Sequence, residues 1–228
     1  MTKGKKKKRV KFKVKNIIIL LLVFFILFGC CYYFVMMPIK NIYISGNEKL
    51  NDEEIRELAN IDMYPSFILT NRFEIVKKLV SHSYIKDAVV KKRFGNVLEI
   101  DIVEYRSIAS NRDGMIILSS GEVVDNNYGI YDVPMLINDI SDNRVYNSFA
   151  LGMEELDYSI LRQISEIEYS PVEVDDERFL FYMSDGNLVH VTLTKLDKLN
   201  KYNKIKDKLS GKRGIIYLDS GYYVELID

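Results

Sequence analysis

The residues of this chain whose types could do chemistry are two histidines, two cysteines and a few acidic runs. Metal binding needs several ligands at matched spacing, and His82 and His190 stand far apart with no such spacing around either. His82 falls at the end of a predicted helix and reads as a surface or capping residue. His190 falls mid-strand and reads as half-packed. Asp175-Asp176-Glu177 lacks the spacing and the turn glycine of a calcium loop, so it reads as a solvated turn. Asp52-Glu53-Glu54 is accounted for by a helix start, where carboxylates meet the positive end of the dipole. The sequence contains no Gly-x-Ser-x-Gly, no phosphate-binding glycine loop and no His-Glu-x-x-His. The expectation is a protein without catalytic residues, cofactor, metal or small-molecule substrate. Carboxylates remote in sequence can still meet in space, which keeps a membrane-anchored cell-wall enzyme as an alternative.

Cys30 and Cys31 are the only cysteines, and both lie in one apolar run. Residues 17–37 are 21 uncharged positions, 14 of them Leu, Ile, Val or Phe. As a helix at ~1.5 Å per residue they span roughly 32 Å, which matches a hydrocarbon core of about 30 Å. A cleaved leader has a shorter core and a small-x-small site, whereas Val35-Met36-Met37 offers no small residue. Leu27-Phe28-Gly29-Cys30 is a poor lipoprotein signal, because Phe28 stands where a small residue is needed and further apolar residues follow. The run is therefore read as a single membrane-spanning helix.

The formal net charge of zero hides a split. Nine basic residues and no acidic ones occupy the first fifteen positions, and the first acid is Glu48. Removing those nine from 32 basic residues leaves 23 against 32 acidic ones, a charge of −9 beyond the tail. Basic residues directly before a span set its orientation and meet anionic headgroups, so nucleic acid is not the expected partner. The tail, 1–16, is expected in the cytoplasm, and everything after 37 outside.

Beyond the span the patterning alternates between strand and helix. Ile42 and Ile44 alternate with Tyr43 before Gly46-Asn47. Asn51 with Glu54 is a capping box, followed by Ile55, Leu58 and Ala59 at helical spacing. Asn71 with Glu74 repeats that pattern, and Phe73, Val76, Leu79 and Val80 predict one apolar stripe on a second helix. Strands are predicted from Ile85 to Phe94 and from Val97 to Glu104, joined at Gly95-Asn96, with Leu98, Ile100 and Ile102 facing one way. Two helices on one face of a small three-stranded sheet would bury these stripes together.

From Ile108 on, a mostly antiparallel sheet with flanking helices is expected. Ser120-Gly121 and Asp185-Gly186 mark hairpins. Ser148 to Glu168 reads as helical in one or two pieces, with Ile160, Ile164 and Ile167 on one face. Thr194 is expected to cap a helix that carries Leu196, Leu199, Tyr202, Ile205 and Leu209 and ends at Gly211. No low-complexity linker separates the halves, so they should touch. The last strand, Tyr222 to Ile227, has the position of an edge strand, which offers unpaired backbone groups to a partner strand.

The order of these features resembles a known family. Pro38-Ile39-Lys40-Asn41-Ile42-Tyr43-Ile44-Ser45-Gly46-Asn47 resembles the start of a POTRA domain, and residues 89–109, from Val89-Val90-Lys91-Lys92-Arg93-Phe94, resemble its end. Gly121-Glu122-Val123-Val124, Val133-Pro134-Met135-Leu136 and Asp185-Gly186-Asn187 with Lys195 to Leu199 continue the likeness in order. The chain is similar to the bacterial FtsQ/DivIB cell-division family. Gly95 departs from the proline that family usually carries there. The resemblance implies an α+β chain: tail 1–16, transmembrane helix 17–37, a β-α-α-β-β POTRA domain 38–107 and a β domain 108–228. It implies a non-enzymatic scaffold at the division septum. Its partners would be small bitopic coiled-coil division proteins and, through them, the septal peptidoglycan synthase. It also implies partner binding at the terminal strands, here Ile215, Ile216, Tyr217, Tyr222, Tyr223, Val224 and Leu226. A POTRA-type module of another envelope pathway is the alternative.

Overall fold

A computed structural model describes residues 14–227. Most of the basic tail expected at 1–16 thus lies outside the described residues. Helix α1, Val14–Val35, contains most of the apolar run and starts three residues earlier than expected, taking in Lys15. Among the described residues it is the one helix long and apolar enough to cross a membrane. A lysine near the end of such a helix can reach back to the headgroups.

The first folded unit has the order β1 (Asn41–Ser45), α2 (Asp52–Leu58), α3 (Arg72–Leu79), β2 (Ile85–Arg93) and β3 (Val97–Glu104). β3 is central, parallel to β1 and antiparallel to β2. Leu98, Ile100 and Ile102 are buried on one face, as their alternation predicts. The capping box is present: Glu54 N–H donates to Asn51 Oδ1 and Asn51 N–H to Glu54 Oε2, each at 2.9 Å. At α3 only half of the motif forms. Asn71 Oδ1 accepts from Phe73 N–H, with no return bond from Glu74. The buried stripe of α3 is also not the expected one. Ile75 and Leu79 face the core, while Phe73 is exposed. Phe73 and Ile75 lie ~200° apart around a helix, so only one of them can face the sheet. Arg93 pairs with Val97, so the β2–β3 turn is Phe94-Gly95-Asn96, in which Gly95 and Asn96 both have positive φ (86° and 62°), a conformation that Gly and Asn tolerate best.

The second unit runs β4 (Ser107–Ser110), β5 (Ile116–Leu118), β6 (Val123–Val124), β7 (Met135–Leu136), α4 (Asn143–Glu154), α5 (Tyr158–Leu161), β8 (Ile164–Tyr169), β9 (Arg178–Met183) and β10 (Leu188–Thr192). A 3₁₀ helix (Leu193–Lys201), α6 (Tyr202–Lys208), β11 (Arg213–Tyr217) and β12 (Tyr223–Ile227) complete it. One nine-stranded sheet has the order β12-β11-β10-β9-β8-β7-β4-β5-β6. It is mostly antiparallel, with parallel pairs at β10–β11, β7–β8 and β4–β7. Residues of α4, the 3₁₀ helix and α6 join one core with Phe179, Phe181, Val189, Val191 and Ile216 of the sheet.

Two local expectations are overturned here. Ile164 and Ile167 sit on strand β8, not on a helix. The ladder with β9 shifts register between Ile164 and Glu166, and this bulge puts two buried residues three apart on a strand, imitating helical spacing. Thr194 is not a cap either. The chain enters the 3₁₀ helix straight from β10, and Thr194 is its second residue. Leu196, Leu199 and Tyr202 are buried nonetheless.

The two units touch, as expected. Ile116 and Leu118 of β5 belong to the core of the first unit, and Ile117 between them to that of the second. Alternation along one strand thus serves both cores.

Candidate partner-binding edge

The site is built from the β9–β10 hairpin outward. The type of turn demanded at Asp185-Gly186 places Gly186 at φ +86°. A Cβ there would lie 2.7 Å from the Arg213 side chain, so the glycine also lets β11 come close. Asn187, buried behind the turn, receives Gly214 N–H on Oδ1 at 2.8 Å. Its Nδ2 group reaches Asp185 Oδ1 and the Tyr202 hydroxyl. Tyr202 OH stands 2.8 Å from both carboxylate oxygens of Asp185, and Lys206 Nζ 2.9 Å from Oδ2. Burial and the bond to Asp185 push the Tyr202 phenol well above its ordinary range, so it is a fixed donor. α6 is thereby tied to the hairpin, and the hairpin to the first residues of β11.

β11 runs parallel to β10 with Val189 opposite Ile216 and His190 opposite Tyr217. β12 then folds back antiparallel, with Ile216 opposite Val224 and Tyr217 opposite Tyr223. Three rings stack across three strands. His190 lies 5.1 Å from Tyr217 at 24°, and Tyr217 lies 4.3 Å from Tyr223 at 10°. Burial, then Arg178 nearby, lowers the His190 pKa, so the ring stacks as neutral imidazole. At Gly214 a Cβ would stand 2.9 Å from Glu225 O and from Val224 Cγ1, so β12 packs where a side chain would otherwise be.

The turn leading into β12 is fastened at its base. Arg178 Nε lies 2.8 Å from Asp219 Oδ2, both side chains largely buried, and Lys195 Nζ donates to Asp219 O. Burial alone would raise the Asp219 carboxyl. The hydrogen bonds from Arg178 and Ser220 outweigh it and hold the group below the usual carboxylate range.

Of the seven predicted residues, the structure brings three to an edge that no other strand of the described residues covers. Tyr223, Val224 and Leu226 lie on β12, the terminal strand, all five of whose residues are exposed. Ile215, Ile216 and Tyr217 lie on β11, whose two edges are already taken by β10 and β12. Tyr222 precedes the strand, because pairing begins only at Tyr217–Tyr223. Its ring lies 4.9 Å from Lys198 Nζ. Other edges differ. β2 alternates buried and exposed residues and carries Lys86, Asp87, Lys91, Lys92 and Arg93, charges that discourage pairing. β1 also alternates in exposure, whereas β12 exposes Tyr223, Val224, Leu226 and Ile227 on both faces with a single acid, Glu225, among them. Asn187, Gly214, Arg178 and Asp219 were not singled out from sequence as positioning residues. The available signal is Gly214, an isolated glycine directly before the β-branched pair Ile215-Ile216.

A cavity of about 560 Å³ between the two units gathers Glu48, Glu104 and Asp132. Glu104 accepts the backbone N–H groups of Lys49 and Leu50 at 2.8 and 3.1 Å. Asp132 accepts the Tyr158 hydroxyl, which chiefly holds its carboxyl below the ordinary range. Glu104 and Asp132 thus hold loops in place. Among the described residues no group of His, Cys, Asp or Glu side chains could hold a metal ion.

Residues 37–105 match the family model of the POTRA domain, FtsQ-type. The chain is 31% identical to a cell division protein DivIB from Bacillus subtilis, over 82% of this chain and 73% of that one. It is 31% identical to the DivIB protein of Geobacillus kaustophilus, over 81% and 74%. A solved structure of the major extracytoplasmic domain of DivIB from Geobacillus stearothermophilus aligns at 28% identity with a TM-score of 0.40, covering 47% of this chain and 95% of that one.

Proposed function

This chain belongs to the FtsQ/DivIB family of bacterial cell-division proteins, and from that premise we propose that it is a non-enzymatic scaffold whose terminal strand receives a strand of another division protein. Its role in division follows from the family; the scaffold mechanism is the proposal. The observation that carries it is β12: an unprotected edge, exposed on both faces and terminal in a nine-stranded sheet. Adding a strand satisfies its free N–H and C=O groups and covers Tyr223, Val224, Leu226 and Ile227 at once. The partners of this reading are small bitopic coiled-coil division proteins outside the membrane, linked through them to the septal peptidoglycan synthase. Basic residues precede α1, which by the positive-inside rule orients the tail inward and both folded units outward, at the division septum. The chain divides in this reading into tail 1–16, span 17–37, POTRA domain 38–107 and β domain 108–228.

The test is binding of the full chain, in nanodiscs, to the outer segments of such coiled-coil proteins. Val224→Pro and Glu225→Pro are compared with wild type. N–H groups alternate in direction along a strand, so one of the two substitutions removes a donor on the free edge and the other one facing β11. The edge variant should lose binding while its circular dichroism is retained. Unchanged binding by both variants removes strand addition at β12 as the mode.

A further inference from the structure

The first folded unit carries an apolar rim at the end where α1 leaves the membrane, and none of it is used by the edge at β12. Ser66 Oγ donates to Val35 O, the last residue of α1, and Phe67 N–H donates to Met37 O. The α2–α3 loop is thus hydrogen-bonded to the mouth of the span. The β2–β3 turn is held there as well. Asn96 Nδ2 donates to Pro38 O at 3.0 Å, and Lys40 N–H to Asn96 O at 2.8 Å. Lys92 Nζ joins the two loops by donating to Phe67 O and Ile68 O.

From this pinned ring five large apolar side chains project. Met63 is 86% exposed, Phe73 70%, Leu69 62% and Ile68 53%, and Phe94 at the tip of the hairpin is fully exposed. Three of them lie on the α2–α3 loop, Phe73 in the first turn of α3 and Phe94 in the β2–β3 turn, more than scattered surface apolar residues require. Phe73 is there because α3 turns Ile75 and Leu79 to the core instead. Arg72 lies over the Phe73 ring, 4.9 Å from its centroid, a pairing of charge and aromatic face suited to a boundary between headgroups and acyl chains.

We propose that this rim rests in the outer leaflet of the bilayer that α1 crosses. Met63, Ile68, Leu69, Phe73 and Phe94 dip to the acyl boundary, and Arg72 stays at headgroup level. The inference rests on α1 being a membrane span, since the apolar run of 17–37 puts Val35 and Met37 at the outer boundary of the hydrocarbon core. Loops hydrogen-bonded to those carbonyls have the lipid surface beside them. The rim would make a second attachment of the unit to the membrane, fixing the direction in which β12 is presented.

The experiment uses the full chain with Cys30 and Cys31 replaced by Ala, one copy per nanodisc. Single cysteines are placed at Leu69, Phe94, Phe25 or Val174 and labelled with an environment-sensitive fluorophore. Lipids carrying quenchers at headgroup depth or mid-chain are then added. Phe25 lies within α1, and Val174 is an exposed apolar residue of the second unit. The labels at Leu69 and Phe94 should lose emission to the shallow quencher, that at Phe25 to the deep one, and that at Val174 to neither. If Leu69 and Phe94 are quenched no more than Val174 while Phe25 is quenched, the span stands and the resting rim is overturned. If Phe25 also escapes quenching, the span falls and the rim with it. If Leu69 and Phe94 change emission only when several copies share a disc, the rim covers a second copy and the lipid assignment is overturned.

Discussion

Gly214 N–H on β11 donates to Asn187 Oδ1 at 2.8 Å, across 27 residues of sequence, and Asn187 directly precedes β10, the strand to which β11 runs parallel. A parallel pair cannot be closed by a tight turn. The chain leaves β10, passes through the 3₁₀ helix and α6, and returns as β11. The side-chain amide of Asn187 fixes where it returns, and β12 inherits its position from β11.

Asn187→Ala should leave Gly214 N–H buried without a partner. The expected cost is about 1–3 kcal/mol. Urea unfolding of the full chain measures it, and hydrogen exchange at Gly214 should quicken more than at Val189.

Gly214→Val should displace β12, because a Cβ would already stand 2.9 Å from Glu225 O. Overpacking of this kind costs about 1–3 kcal/mol. The strain is confined to the last pair of strands, so the proposed partner binding should fall while the far-ultraviolet spectrum changes little. Full affinity in this variant would mean that β12 is not the receiving strand.

Arg178 and Asp219 should give the hairpin an acid limit. The Asp219 carboxyl lies lower in the folded chain than its ordinary value of 3.8. In the window between those two values the unfolded chain binds more protons, so stability rises with pH there. The contribution is fully present above the unfolded value and is lost as pH falls through the folded one. Arg178→Met should cost on the order of 3 kcal/mol at neutral pH, because it leaves a largely buried carboxylate unpaired. The loss should shrink as the pH falls toward the carboxylate range, because the unpaired carboxyl, raised by its burial, takes up a proton more readily than the paired one. Thermal unfolding of both proteins between pH 3 and 7 checks it.

Gly46→Ala should destabilise the first unit alone. Gly46 has φ +82°, and a Cβ would fall 2.1 Å from Ile102 O on the central strand β3. The cost should exceed about 1 kcal/mol. Proteolysis should open residues 38–104 before the nine-stranded sheet.

The span, the two capped helices, the hairpins at Gly95, Gly121 and Gly186, and the inward set Leu98, Ile100 and Ile102 were all legible in the sequence. Each is written within a few residues, by an unbroken apolar run, a period or a turn that needs positive φ. Periodicity misled where a period was interrupted: the bulge in β8 made Ile164 and Ile167 look helical, and the stripe read through Phe73 took in a residue that faces outward while Ile75 faces the core. The alignment of strands belongs to a different level. That β11 pairs with β10 in parallel, that β11 is enclosed while β12 is free, and that the α2–α3 loop and the Phe94 hairpin meet at the end of α1 are set by hydrogen bonds between distant residues. A strand's residue types state which face is buried, but its two edges present the same backbone groups whatever the side chains. Only tertiary packing decides which of those edges, among the described residues, has no neighbouring strand.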